Sequence, residues 1–230
     1  MKKTIALLSI CFVLNAVVQT MTAQTRPQSG DPEAGQTATR PPMAFREEWK
    51  EPPHTAPLDD AARRVTQQVV GNPNLELKLY GADAKAVSVN PHEGRLDLWN
   101  GDTASPVAVT LRDKANYFDL TGLARLRWIL RTQGLHVIHP VLKLADGTLV
   151  AGTHADSTEG VFLQSEIAFN NQRWYKLDPN KVVTTVEVRN PDLSKVDEIG
   201  WVDLSPGGGR GVAGWANMST IELYAKTAPR

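Results

Sequence analysis

Only one cysteine, Cys11, occurs in the chain, the charges of the two signs balance, and no apolar run reaches bilayer length. Each of these absences removes a class of protein. A lone cysteine allows no internal disulfide and no cysteine-based zinc framework. Charges of 25 Lys and Arg against 25 Asp and Glu provide no basic field to attract nucleic acid or an anionic membrane. A bilayer-spanning helix needs about 20 apolar residues in a row, so no membrane span is expected. Gly-x-Ser-x-Gly elbows and His-Glu-x-x-His helices are lacking as well. The run Ser205-Pro206-Gly207-Gly208-Gly209-Arg210-Gly211 is glycine-rich but lacks the Lys-Ser/Thr ending of a phosphate loop, so it reads as a flexible connection.

What is present begins with Lys2 and Lys3, followed by an apolar stretch from Ile5 to Leu14 that Asn15 and Gln19 interrupt. A short apolar core behind a basic start is an export signal, and the small residues near Thr22-Ala23-Gln24 place its cleavage close to residue 24. A lipid anchor at Cys11 would need a small residue where bulky Ile10 stands. A periplasmic or secreted location follows. With Lys2 and Lys3 removed, the remaining chain stays near neutral. From 25 to 57 the sequence is rich in Pro, Gln, Thr and Gly and poor in apolar residues, the composition of a disordered spacer, with Phe45 and Trp49 as the two side chains able to dock onto a domain. The stretch from Pro57 to Val65 fits a short helix.

Beyond residue 74 apolar residues recur every second position. Leu75, Leu77 and Leu79 alternate with Glu76, Lys78 and Tyr80, and Leu126, Trp128 and Leu130 alternate with Arg125, Arg127 and Arg131. Similar short runs continue to the C-terminus, and Asp146-Gly147 marks a hairpin. Ten or so strands in roughly 155 residues predict an all-β domain over 58–230, its core spanning about 75–225, built as a two-sheet antiparallel sandwich or jelly roll.

The strand pattern also selects a candidate ligand face. If Leu126, Trp128 and Leu130 point inward, Arg127 and Arg131 point outward. If Gln133 to His136 join two neighbouring strands, His139 and Lys143 fall on the same face. Guanidinium groups beside aromatic rings suit a glycan, a carboxylated one included. Trp49, Trp99, Trp174 and Trp215 are the stacking candidates, of which Trp174 and Trp215 are taken into this site, and Trp128 and Trp201 sit in runs that read as core. His136 and His139, three apart on a strand, share a face only if His136 lies in the loop, so no metal site is expected from them. No cofactor is called for; Asp156-Ser157-Thr158-Glu159 could offer oxygens to a structural calcium. Asn217-Met218-Ser219 has the form of a glycosylation sequon and reads as coincidental.

Several segments resemble a family of exported bacterial proteins of unassigned function. They are Tyr117-Phe118-Asp119-Leu120-Thr121-Gly122-Leu123 running on to Trp128, Leu142-Lys143-Leu144-Ala145-Asp146-Gly147-Thr148, and Asn190-Pro191-Asp192-Leu193 running on to Trp201. The closing Ile221-Glu222-Leu223-Tyr224 is similar to the last strand of galactose-binding-like jelly rolls and carbohydrate-binding modules. The resemblance implies that fold and a non-catalytic, carbohydrate-binding role with a polysaccharide or other polyhydroxylated partner. Two alternatives stay open. One is a glycoside hydrolase or polysaccharide lyase on the same fold, which predicts a deep cleft holding His139 and an acid. The other is a structural partner in the cell envelope, which predicts an exposed apolar patch.

Overall fold

The computed structural model describes residues 39–53, 62–92, 94–209 and 214–230. The expected export signal, the spacer up to residue 38 and most of the expected short helix lie outside the described residues. In chain order the strands are β1 Met43–Glu48, β2 Leu75–Tyr80, β3 Ser88–His92, β4 Arg95–Trp99, β5 Val107–Asp113, β6 Asn116–Asp119, β7 Arg125–Gly134 and β8 Ile138–Leu144. They continue with β9 Leu149–Gly152, β10 Leu163–Ala168, β11 Trp174–Leu177, β12 Thr184–Val188, β13 Val196–Asp203, β14 Gly214–Tyr224 and β15 Lys226–Pro229. All pairings are antiparallel. One sheet runs β10-β7-β14-β4-β3, with β1 added to β14, and the other runs β12-β11-β9-β8-β13-β5-β2, extended by β6 and β15. The expected sandwich is what forms. No helix among the described residues is long and apolar enough to cross a membrane.

Alternation explains how the sheets face each other. Leu126, Trp128 and Leu130 of β7, Met218, Ile221 and Leu223 of β14 and Leu98 of β4 are buried, and they share a core with Val109 and Leu111 of β5, Leu142 of β8 and Ile199 and Trp201 of β13. β7 shows the period-two burial by which a sandwich hides one face of a strand, whereas β5, β13 and β14 are covered along nearly their whole length on both faces. Trp128 and Trp201 are both fully enclosed, as their sequence context predicts.

Two expectations need correction. The spacer does not extend to residue 57, because Met43–Glu48 forms β1 and pairs with β14 from Met43↔Tyr224 to Glu48↔Thr220. Phe45, Glu47 and Trp49 point inward while Arg46 and Glu48 point out. This is strand alternation, which the surrounding prolines disguise in the sequence. In addition, β7 and β8 are not neighbours. β7 lies between β10 and β14 in the first sheet, and β8 lies between β9 and β13 in the second. Between them the chain changes sheets at a corner pinned by His136, which is buried with its Nδ1 2.6 Å from Asp203 Oδ2. Asn100 Nδ2 donates to the same Asp203 oxygen at 2.7 Å.

The two outer faces differ in kind. On the β8/β13 sheet, Ala108, Val141, Ala151 and Val202 form a second apolar cluster, which Leu177 and Val182 cover from the β11–β12 turn. Val182 adopts φ 53°, an unfavourable conformation for a β-branched residue, and it is held there fully buried with its amide bonded to Asp178 O at 2.9 Å. On the β7/β14 sheet the outward positions are polar and aromatic. There the register of β14 against β7 slips between Met218 and Thr220, leaving Ser219 without a partner on β7.

Candidate functional site

The slip at Ser219 sets the composition of this face. Ahead of it Trp215 and Asn217 point outward, opposite Gln133 and Arg131; after it Thr220, Glu222 and Tyr224 do so, opposite Ile129, Arg127 and Arg125. Asn217 also faces Trp99 of β4, which in turn faces Ser88 of β3, and Asp97 faces Asn90. β14 gives up β4 as its lateral neighbour and takes β1 at this level, with Trp49 Nε1 donating to Met218 O at 2.8 Å in the fork. The fork leaves a hollow of about 360 Å³ walled by Arg46 and Glu48 on one side and Gly94, Arg95 and Leu96 on the other, with Ile129, Ser219 and Thr220 below. A second hollow of about 150 Å³ adjoins it, sharing Arg46, Ile129 and Thr220 and reaching Arg127, Gln164 and Glu222. Together they form a trough across the face.

At one end of the trough charges are matched. Glu222 accepts from Arg46 Nη1 at 2.6 Å, Arg127 Nε at 2.7 Å and Tyr224 Oη at 2.9 Å. Burial pushes its carboxyl up, but the hydrogen bonds from Tyr224 and Arg127 outweigh this and hold it below the usual range. Arg127 is therefore committed to an ion pair, and its guanidinium carbon also lies 5.4 Å from the centre of the Tyr224 ring.

Past Arg95, beside the hollows, the same face is built differently. The guanidinium carbon of Arg131 lies 4.6 Å from the Trp215 ring centre and 5.2 Å from that of Phe162. Arg95 approaches the same Phe162 at 5.4 Å, and the His92 ring is 5.5 Å from it. Arg131 Nη1 sits 2.6 Å from His92 Nε2. Beneath, Asn217 Nδ2 donates to Asp97 Oδ2 at 3.0 Å. Asp97 is fully buried, which pushes its carboxyl up against the lowering influence of Asn217, Ser219, His92 and Arg131. Ser219 stands near enough to favour the charge yet does not bond Asp97 Oδ1. That oxygen, Asn217 Oδ1 and Arg131 Nε are all buried without a hydrogen-bond partner. Three orphaned polar atoms on adjacent strands are uncommon in a folded interior.

Of the six side chains expected from the sequence, three share this sheet and three do not. Arg127, Arg131 and Trp215 lie on the outer face of β7 and β14. His139 and Lys143 point outward from the opposite sheet, so the expected convergence does not occur; it depended on β7 and β8 being neighbours. His139 Nδ1 is 2.8 Å from His154 O, and Lys143 Nζ donates to buried Glu198 Oε1 at 3.0 Å. Glu198 also accepts from Tyr80 Oη at 2.7 Å and Thr110 Oγ1 at 2.5 Å. Trp174 belongs to the core, at one wall of a separate hollow with Arg173 and Arg189. Trp99 is buried too, under the turn at Gly101, where an added Cβ would fall 2.0 Å from the indole.

Asp97, Asn217, His92 and Phe162 were not singled out for this site in the sequence. The alternation Leu96-Asp97-Leu98 is a local signal that sets Asp97 on the face opposite Leu98, but nothing local indicates that β14 and β7 enclose it. Asp156 Oδ2, considered for calcium, receives Trp128 Nε1 at 2.7 Å and lies 2.9 Å from His154 Nε2. Burial pushes the Asp156 carboxyl up, and His154 and Trp128 more than offset that and hold it low. Ser165 Oγ meets the same His154 nitrogen at 3.4 Å, whereas a nucleophile relay needs the hydroxyl and the carboxylate on opposite ring nitrogens. The glycine-rich run is no loose connection where it is described: Gly207 N donates to Thr103 O and Gly209 N to Gly101 O, both at 2.7 Å.

No protein-family model matches the chain, and no curated protein matches it in sequence. Among solved structures it is similar to the family 11 carbohydrate-binding module of a cellulosomal cellulase of Clostridium thermocellum, at 10% identity and TM-score 0.38 over 67% of this chain and 85% of that one. A family 61 module in complex with β-1,4-galactotriose is similar at 15% identity and TM-score 0.34 over 67% and 90% of the two chains. The seed lectin of Lotus tetragonolobus is similar at 8% identity and TM-score 0.38 over 70% and 96%. Superpositions this loose carry no information on ligand or activity.

Proposed function

We propose that this protein is a non-catalytic carbohydrate-binding-type protein, exported to the periplasm or beyond, that takes a polysaccharide or similar polyhydroxylated ligand on the outer face of the β7/β14 sheet. One observation carries the reading: on the same face as a trough walled by Arg46, Arg95 and Arg127, a guanidinium lies against the Trp215 and Phe162 rings beside a cluster of buried polar atoms that the protein itself leaves unpaired. Rings such as Trp215 and Phe162 can pack against the apolar face of a pyranose, while unpaired acceptors and donors take its hydroxyls. The opposite sheet offers an apolar face already covered by its own turn. A hydrolase or lyase centred on His139 finds less support, since that ring is engaged by a backbone carbonyl.

A glycan array followed by calorimetric titration of the full chain tests this. Binding to at least one polysaccharide, weakened by Trp215→Ala and by Arg131→Ala, is the expected outcome. An array without binding to neutral or acidic glycans removes the proposal.

A further inference from the structure

The unpaired atoms at the Arg131 end also bear on what kind of sugar binds, on the condition that the proposed carbohydrate-binding role holds. Asp97 Oδ1 and Asn217 Oδ1 are acceptors that lack a donor, and Arg131 Nε is a donor that lacks an acceptor. The register places Asn217 directly opposite Arg131, and Asn217 in turn bonds Asp97, so the three atoms belong to one patch. All three are closed to solvent, with the Arg131 guanidinium lying against the Trp215 and Phe162 rings on the outward side. We infer that the ligand is a neutral sugar presenting adjacent hydroxyls, which donate to Asp97 and Asn217 as Arg131 slides aside on its aromatic neighbours.

The argument is one of donor and acceptor inventory. A hydroxyl brings one donor and two lone pairs, so a hydroxyl that donates to Asp97 Oδ1 can still accept from Arg131 Nε. The carboxylate or sulfate of an acidic sugar, seated at this patch in place of a hydroxyl, brings acceptors only. It could satisfy Arg131, yet it would leave both orphaned oxygens unpaired and set its charge against the Asp97 carboxylate. An unsatisfied buried acceptor costs on the order of 1–3 kcal/mol. The two arginines at this end therefore do not mark an acidic-sugar site: Arg131 is held by His92, Trp215 and Phe162 and serves as a movable cover. The matched charges around Glu222 at the far end add no net attraction for anions.

The test uses the full chain and pairs of oligosaccharides of equal length, neutral gluco- and galacto-oligosaccharides against oligouronates, titrated by calorimetry. Neutral ligands are expected to bind at least about tenfold more tightly, the worth of one hydrogen bond to a charged group. Asp97→Asn should lower affinity for the neutral ligand and narrow its advantage over the oligouronate. Asn217→Leu, which keeps the branched outline of the side chain and removes the second acceptor together with the donor to Asp97 Oδ2, supplies an independent check should Asp97→Asn not fold. Equal or tighter binding of oligouronates by the wild type, or neutral affinity unchanged in the folded variants, overturns the inference while leaving a carbohydrate-binding role intact. Failure of every oligosaccharide to bind removes both together.

Discussion

Arg131 Nη1 lies 2.6 Å from His92 Nε2, and because a guanidinium can only donate, the imidazole must accept there and carry its own proton on Nδ1. This contact joins β7 to the edge strand β3 across β14 and β4. It holds one end of the Arg131 side chain over the cluster in the unliganded arrangement, with the rings of Trp215 and Phe162 against its plane.

Removing that acceptor is therefore expected to loosen the Arg131 cluster on this face. His92→Ala should cost about 1 kcal/mol in urea-induced unfolding, the net worth of a typical hydrogen bond. His92→Gln, whose side-chain oxygen can accept, should recover part of the loss. Equal stability of His92→Ala and the wild type would show that the contact contributes nothing.

The separation of the sheets gives a second prediction. His139→Ala and Lys143→Met lie on the opposite sheet from the trough, so glycan affinity should change less than about twofold, the range of distant and independent sites. Stability behaves otherwise: Lys143→Met takes one of three donors from buried Glu198 and should lower the unfolding midpoint. A tenfold fall in affinity in either variant, with the fold intact by circular dichroism, would move the site to the other sheet.

Glu47 predicts a pH dependence of stability. Its carboxyl is buried and pushed up to about 7 from an ordinary 4.5, despite bonds from the Gly71 amide at 2.6 Å and the Asn72 amide at 3.0 Å. A carboxyl held up in this way binds its proton more tightly in the folded state. Its contribution is full below about 4.5 and is lost as pH climbs through about 7. At about 1.4 kcal/mol per pH unit the loss is bounded by roughly 3.5 kcal/mol. Asp97, also pushed up by burial, acts in the same direction. Carboxyls held low, such as Asp156 and Glu222, act the opposite way but only as pH falls through the acid range, so the slope between 5 and 7 is separable. Denaturant midpoints measured across that interval should decline for the wild type and flatten in Glu47→Gln; a flat wild-type profile refutes the assignment.

Gly101→Ala addresses the turn that covers Trp99. The added methyl would meet the indole carbons at 2.0 and 2.4 Å, so either the turn or the ring must shift. A loss of roughly 1–3 kcal/mol is expected, the usual range for overpacking. An unchanged melting temperature would mean that the Asn100–Thr103 turn moves freely, contrary to its bonds with Ala216 and Gly207.

The sequence revealed strands far better than neighbours. Leu126-Arg127-Trp128 and Leu75-Glu76-Leu77 carry their own evidence, because burial on one side of a strand writes itself as alternation. Nothing local records which strand lies alongside. Gln133 to His136 looked like a turn between paired strands, and only the burial of His136 against Asp203, 67 residues away, shows that the chain crosses between sheets there. The same gap hid Asp97 and Asn217, whose significance comes from meeting each other 120 positions apart. β1 was missed because Pro41, Pro42, Pro52 and Pro53 dominate the composition around a short alternating run that lies between them.

The unpaired Ser219 has a consequence for how such a face can arise. In an uninterrupted strand the residues beyond Met218 would turn over, sending Ile221 and Leu223 to water and Glu222 and Tyr224 into the hydrocarbon interior. The trough is thus two reading frames of one strand joined by a single unpaired residue: drawing Ser219 into the ladder would exchange inside for outside along half of β14, whereas deleting it would keep Thr220 opposite Ile129. What makes this surface continuous is a count of residues, and no choice of side chain at any one position could substitute for it.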